Sequence, residues 1–220
     1  MQNLATDLFN VGNTGFLAVK GGAPQVNVHG LTNSGSMTIG GLQNLETNLF
    51  NVVNDGTAAI RGDKGQTNVY NLTNNNVMTI GGGLQNLATD LYNVRNTGLL
   101  AVRGGAAQTN VHGLTNSGSM TIGGLQNLAT DLWNVQNNGF LAVKGGAAQT
   151  NVHGLTNGGS MTIGGLQNLA TDLWNVNNVG FLAVKGGAAQ TNVHGLTNGG
   201  SMTIGGLQNL ATDQWNIWRV

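Results

Sequence analysis

The chain has 220 residues, of which only 7% are charged, and its eight basic and eight acidic residues cancel to a formal net charge of zero. This balance excludes a basic nucleic-acid surface, an acidic tail and a polybasic membrane-surface segment, because each needs clustered charge of one sign. Hydrophobic residues make up 40% of the chain and Cys is absent, so we expect a buried core without disulfides or thiolate metal sites. No apolar run approaches the roughly 18 residues of a membrane-spanning helix, and the first residues lack the pattern of a signal peptide.

The sequence is a tandem repeat. The decapeptide QNLATDLFNV at residue 2 returns as QNLETNLFNV at 43, QNLATDLYNV at 85 and QNLATDLWNV at 126 and 167, and a last fragment begins at 208. Self-similarity at a fixed period is typical of repeat architectures. We therefore predict a single repeat domain, residues 1–220, made of repeats 2–42, 43–84, 85–125, 126–166 and 167–207 with a partial repeat over 208–220.

Each repeat contains one nine-residue motif twice. VGNTGFLAV (11–19) and LTNSGSMTI (31–39) both read apolar-x-Asn-x-Gly-x-apolar-x-apolar, and the motif recurs every 20 to 22 residues. The alternating apolar residues predict strands that are buried on one face. The central Asn-x-Gly predicts a bend at positive φ, and Gly-Gly pairs such as Gly40-Gly41 predict a second corner.

One segment also fits a helix. In LQNLATDLFN the residues Leu42, Leu45 and Leu49 have helical spacing. So much glycine in the chain is unfavourable for helices, and we interpret this segment as a strand or a corner.

About twenty residues with two or three short strands, repeated ten times, predict an all-β fold. We expect a β-solenoid of about ten 20–21-residue rungs, two rungs to each 41–42-residue repeat. The motif resembles the haemagglutinin-type repeats of filamentous adhesins exported by two-partner secretion, from VGNTGFLAVKGG (11–22) to LTNGGSMTIGG (196–206). That resemblance implies an extracellular or cell-surface rod, part of a larger exported protein. The repeat length also resembles, more weakly, the blades of tachylectin-like lectins, so the alternative fold is a five-bladed β-propeller.

Stacked rungs place equal motif positions in columns along the rod. The position two residues before the motif holds a ring in every rung: Phe9, His29, Phe50, Tyr70, Tyr92, His112, Trp133, His153, Trp174, His194 and Trp215. We interpret this column as a stacking ladder, with the alternative that its rings bind sugars. The nearest histidines of the column are two rungs, about 9–10 Å, apart, which is too far to share a metal ion. No metal site or cofactor is predicted.

Two further columns are polar. An asparagine column on the inward parity predicts a hydrogen-bonded structural ladder, formed by Asn13, Asn33, Asn54, Asn74, Asn96, Asn116, Asn137, Asn157, Asn178 and Asn198. Outward cations at Lys20, Arg61, Arg103, Lys144 and Lys185 have their expected counterparts in Asp7, Asp90, Asp131, Asp172 and Asp213, with Asn48 breaking the acidic series. We expect these charges to keep the rod soluble.

No catalytic motif is present, and the acids are scattered singly, so the sequence does not predict an enzyme. The expected function is a structural or adhesive β-rod, a self-associating fibre or cell-surface scaffold; the alternative is a multivalent lectin with one aromatic or histidine site per repeat. Expected partners are further copies of the chain, end to end or laterally, and glycans in the alternative, without nucleic acid or membrane insertion. The segment QWNIWRV (214–220) predicts an apolar rod end that favours self-association.

Overall fold

The computed structural model describes residues 5–19, 25–40, 46–61, 65–81, 88–103, 108–123, 129–144, 149–164, 170–185, 190–205 and 211–219. Two parallel sheets run through these residues. Each rung contributes one long strand to the first sheet and, one bend later, one short strand to the second. The all-β solenoid of stacked rungs is therefore confirmed. The propeller alternative is wrong, because successive rungs continue the same two sheets instead of closing separate blades.

The strands are numbered in chain order, the odd numbers belonging to the long-strand sheet and the even numbers to the short-strand sheet. The long strands are β1 Ala5–Asn13, β3 Gln25–Asn33, β5 Glu46–Asn54, β7 Gln66–Asn74, β9 Ala88–Asn96, β11 Gln108–Asn116, β13 Ala129–Asn137, β15 Gln149–Asn157, β17 Ala170–Asn178, β19 Gln190–Asn198 and β21 Ala211–Arg219. The short strands are β2 Phe16–Val19, β4 Ser36–Ile39, β6 Thr57–Ile60, β8 Val77–Gly81, β10 Leu99–Arg103, β12 Ser119–Ile122, β14 Phe140–Val143, β16 Ser160–Ile163, β18 Phe181–Val184 and β20 Ser201–Ile204.

Every strand except the outermost two of each sheet pairs in parallel with the strand one rung before and the strand one rung after it. Val11 lies opposite Leu31, and Leu31 opposite Val52, so equal motif positions meet across the ladder. The columns expected from the sequence are thus real columns of the structure.

The core lies between the two sheets and is filled by the inward residues of both. In the second rung, Val28 and Leu31 of β3 and Met37 and Ile39 of β4 are at most 1% exposed. Full burial of one such side chain stabilises the fold by about 1.5–3 kcal/mol. Because each rung repeats these positions, the core is a continuous apolar filling and not a layer unique to one part of the chain.

The long strands from β1 to β19 have a kink that was not predicted from the sequence. The residue just before the motif adopts positive φ and is skipped in the strand pairing. It is always Asn or Gly in the described rungs: Asn10, Gly30, Asn51, Asn71, Asn93, Gly113, Asn134, Gly154, Asn175 and Gly195. Asn and Gly are the residues that tolerate this region. The kink puts two consecutive residues, such as His29 and Gly30, on the outer side and returns the strand to inward parity at Leu31.

The Asn-x-Gly bend itself does not use positive φ. Its glycine is required because rungs approach closely: a Cβ at Gly35 would overlap the carbonyl oxygen of Gly15 one rung below. Asn76 takes the glycine position in β7–β8. There the bond from the Val77 amide to the Gly56 carbonyl lengthens to 3.3 Å, against 2.8 Å for Ser36 to Gly15.

The Gly-Gly corner is formed differently. Gly40 has a φ of 95°, and a Cβ there would overlap the carbonyl oxygen of Arg61. A bend at positive φ is thus confirmed for the first glycine of this pair, whereas Gly41, Leu42 and Leu45 lie outside the described residues. Leu49 lies within β5, so this part of the ambiguous segment is strand.

Candidate functional site

The ring column forms an unbroken stack along the outer side of the long-strand sheet. Neighbouring rings from Phe9 to His194 are nearly parallel, with interplanar angles of 1–14° and centroids 4.0–6.2 Å apart. The kink in each long strand holds the ring position beside the equivalent position of the next rung. His29, His112 and His153 each lie between two aromatic rings, and His194 stacks on Trp174, so each imidazole extends the stack instead of forming a separate site.

Stacking determines what the rings can offer to a ligand. Trp133 and Trp174 are each 42% exposed, but His153 lies between them and covers one face of each indole. A sugar that stacks on an aromatic face needs that face free. Between Phe9 and His194 the neighbouring rings occupy the faces, and the stack presents mainly ring edges to solvent. The backbone of Trp215 lies opposite His194 in the strand pairing, and the Trp215 side chain is outside the part of the chain that the structure describes.

The centre of the stack also perturbs a phenol. Burial raises the pKa of Tyr92 above the ordinary value of 10.0, and the nearby Asp90 carboxylate and Tyr70 act in the same direction. Burial disfavours the charged form of an acid. Tyr92 therefore stays neutral and contributes to the stack as an uncharged ring.

The asparagine column forms the predicted kind of hydrogen-bonded ladder inside the rod. Each Nδ2 donates to the Oδ1 of the next asparagine at 2.7–2.8 Å, in a continuous series from Asn13 to Asn198. Each of these donating amide nitrogens also lies within hydrogen-bonding distance of two backbone carbonyl oxygens, one in its own bend and one in the short strand of the next rung. For Asn116 these are the carbonyl oxygens of Gly118 and Phe140. These contacts satisfy amides that are otherwise excluded from water, and they join both sheets at the bend.

The acidic column has amide partners. Asp90 accepts hydrogen bonds from Asn110 Nδ2 at 2.7 Å and from Gln66 Nε2 at 2.8 Å. Asp131 accepts one from Asn151 at 2.6 Å. Aspartate and asparagine thus alternate from rung to rung in this part of the rod, which keeps like charges two rungs apart. The cations Arg61, Arg103, Lys144 and Lys185 are exposed on the edge of the other sheet, and Lys20 lies outside the described residues.

Two features of the structure were missed in the sequence. The first is the positive-φ column, which has a clear signal, since the position before each motif contains only Asn or Gly. The second is an exposed apolar column on the short-strand sheet that includes Phe16, Leu99, Phe140 and Phe181. Its signal is the large apolar residue after the bend glycine in alternate rungs. Both features become visible when equivalent positions of successive rungs are compared with one another.

One buried polar group has no partner. The Thr67 hydroxyl, on the inward side of β7, is the buried side-chain atom that lacks a hydrogen bond in the described part of the chain. Val26 occupies the equivalent inward position of β3 and is fully buried. The site therefore accepts an apolar side chain of similar shape.

No metal-binding group is found among the described residues, where no three His, Cys, Asp or Glu side chains lie together. Within the same residues, no helix is long and apolar enough to cross a membrane. No protein-family model matches the chain, and comparisons with curated proteins and with solved structures find no match.

Proposed function

We propose that this chain is a non-catalytic structural β-rod that associates with further copies of itself in a fibre or a cell-surface scaffold. The observation that carries this proposal is the asparagine ladder, which runs from Asn13 to Asn198 without interruption. A buried ladder of this kind ties every rung to the next and makes the rod stiff along its axis. Stiffness along one axis is the property that a structural element needs.

The repetition of the columns argues against a catalytic role. Catalysis uses one pocket in which different groups converge. Here the same positions recur in each rung, and the potentially reactive groups are used within the columns: the imidazoles stack with rings, and Asp90 and Asp131 accept amide hydrogen bonds.

Self-association is supported by the outermost strands. Among the described strands, β1 pairs with β3 alone and β21 with β19 alone. The other side of each strand therefore has backbone groups available to a strand of another molecule. The resemblance of the motif to haemagglutinin-type repeats supports an extracellular or cell-surface location for such a fibre.

A charge substitution tests end-to-end association. If β21 of one molecule continues the register into β1 of the next, Asp213 falls beside Asp7, whereas within the rod Asp131 lies between two asparagines. Asp7→Asn removes a like-charge contact and should strengthen the growth of rods in low salt, measured by light scattering and negative-stain microscopy. The matched variant Asp131→Asn should leave growth unchanged.

The proposal is overturned if neither the unmodified chain nor Asp7→Asn associates at any concentration. A glycan array tests the lectin alternative on the same samples. Sugar binding that disappears in Trp133→Ala and Trp174→Ala would replace the structural role by a multivalent lectin, and the covered ring faces lead us to expect no binding.

A further inference from the structure

The outer face of the short-strand sheet is uncharged at its first two outward positions, and its third outward position holds Arg61, Arg103, Lys144 and Lys185 in alternate rungs. We call it the phenylalanine face. Its first column is Phe16, Ser36, Thr57, Val77, Leu99, Ser119, Phe140, Ser160, Phe181 and Ser201, and its second column is Ala18, Thr38, Ala59, Thr79, Ala101, Thr121, Ala142, Thr162, Ala183 and Thr203. Large apolar side chains stand out from it: Phe16 is 76% exposed, Leu99 49% and Phe140 47%.

From Leu99 to Ser201 the first column of this face alternates large and small side chains, whereas Thr57 and Val77 interrupt the alternation nearer the first rung. Phe140 and Phe181 are separated by Ser160, so a large side chain and a small one alternate from rung to rung. The gap between the two phenylalanines spans two strand spacings, about 9–10 Å. A gap of that width above a serine can receive one aromatic side chain from a facing surface.

We propose that the phenylalanine face packs against the same face of a second copy, with the two rods antiparallel and fully overlapped. The two copies are related by a two-fold axis that runs parallel to the strands and passes through the middle of the rod. This axis places each odd-numbered rung of one copy opposite an even-numbered rung of the other. Phe181 then faces Ser36, and Leu99 faces Ser119. Most large side chains of one copy thus meet a serine of the other, as an isologous interface requires, and Phe140 is the exception, because it meets Val77.

The basic edge of the sheet opposes the pair at low salt. Arg103 and Lys144 follow the exposed face at the end of their strands, and both are exposed. In the antiparallel pair, Arg103 faces Gly123 and Lys144 faces Gly81, but each cation lies only one strand spacing along the rod from a cation of the other copy. These exposed like charges are screened by salt, so we expect the lateral pair to strengthen as the ionic strength rises.

The area of the face matches a small specific interface. Ten strands at about 4.8 Å and four residues at about 3.3 Å give roughly 600 Å² on each copy. The pair would then bury roughly 1,200 Å² in total, the lower limit for specific protein interfaces. A second copy has the same side-chain spacing along the rod and the same length as this face, and it is therefore the partner that we propose.

This inference rests on the proposed structural role, and it uses a different surface from the strand edges of β1 and β21. Lateral pairing doubles the thickness of the rod, and edge pairing doubles its length. The two can therefore fail separately. Rods that lengthen without thickening would retain the proposed function and overturn the lateral pair.

Cysteine cross-linking tests the orientation directly, because the chain has no cysteine of its own. Chains with Ser36→Cys and chains with Phe181→Cys are mixed in equal amounts and treated with a short bis-maleimide that bridges about 10 Å, the spacing of two sheets packed face to face. The antiparallel pair predicts mixed 36–181 cross-links. End-to-end joining leaves these positions about four strand spacings, or roughly 19 Å, apart, beyond the reach of that reagent. Links of 36 to 36 and 181 to 181, or no links, would overturn the proposal.

A charge in the face tests the same interface without cysteine. Ser36→Lys places an ammonium group where Phe181 of the second copy would pack, and Thr156→Lys adds the same charge to the exposed outer side of β15. In sedimentation velocity we expect the unmodified chain and Thr156→Lys to form species of twice the 22.6 kDa chain mass. Ser36→Lys should weaken that dimer about tenfold or more, since an unpaired charge is costly to bury. Equal dimerisation of both lysine variants would contradict the proposed face.

Discussion

Removal of one amide from the middle of the asparagine ladder should open the rod locally. Asn116 is fully buried. It accepts a hydrogen bond from Asn96 at 2.8 Å, and it donates to Asn137 at 2.8 Å and to Phe140 O at 2.9 Å. Asn116→Ala removes these bonds and leaves Asn137 Oδ1 without its donor. At about 1 kcal/mol for each bond, with a further cost for the orphaned oxygen, the loss is about 3–5 kcal/mol.

Native-state hydrogen exchange is the appropriate assay, because repeat proteins unfold in parts and a single unfolding free energy is poorly defined for them. Amide protection in β11–β14 should fall by about a hundredfold or more, the factor that corresponds to about 3 kcal/mol. Protection in β3–β6 should change little, because several rungs separate them from Asn116.

The exposed neighbour Thr115 supplies the control. Thr115→Ala should leave the exchange pattern unchanged. A second variant, Asn198→Ala, lies at the last described ladder position, where the amide donates to the Gly200 carbonyl, and it should cost less than Asn116→Ala. Equal protection in Asn116→Ala and Thr115→Ala would refute the ladder as the element that ties the rungs together.

Three further substitutions have definite expected outcomes. Asn134→Val forces a β-branched residue to a φ of 54° and should cost about 1–2 kcal/mol in chemical denaturation, whereas Gln136→Val on the same strand should cost nothing. Gly118→Asn places a Cβ against the rung below; it should cost about 1 kcal/mol and speed exchange of the following amide, and unchanged exchange would contradict the close-approach explanation. Thr67→Val removes an unpartnered buried hydroxyl and should raise stability by about 1 kcal/mol, while Thr130→Val, which loses a partnered group, should lower it.

The alkaline limit of stability should depend on one ring. Because the folded-state pKa of Tyr92 is raised, its stabilisation is fully present below the ordinary phenol pKa of 10.0 and is lost as the pH rises through the folded value. Tyr92→Phe removes that ionisation. We expect the variant to lose less stability than the unmodified chain between pH 9 and 11, as followed by denaturant titration; identical pH profiles would show that Tyr92 ionisation does not matter.

The rung period and the inward parity could be predicted because near-identical residues recur at equal positions. The inward asparagines, and the ring column, were visible for the same reason. Positive φ was expected at the Asn-x-Gly bend and lies instead at the residue before the motif, because the columns at both places contain only Asn and Gly and composition does not distinguish them. The distances between neighbouring rings and the exposed fraction of Trp133 depend on how adjacent rungs pack against each other. The sequence of a single rung does not specify that packing.

The function was harder to infer than the fold, for a physical reason. A unique site is marked in a sequence by residues that break its pattern, and this chain has few such residues. Asn76 is one, and it alters a bend. The exposed phenylalanines form another pattern, whose importance depends on facing a second surface. The sequence of one chain does not show that surface.

Small-angle scattering over a concentration series, with negative-stain microscopy of the same samples, tests the central claim most directly. Eleven strands at about 4.8 Å predict an elongated particle about 50 Å long at low concentration. The account predicts that this particle gains mass with concentration, by lengthening or by doubling in thickness. A compact particle of constant mass at every concentration would contradict both the rod and its self-association.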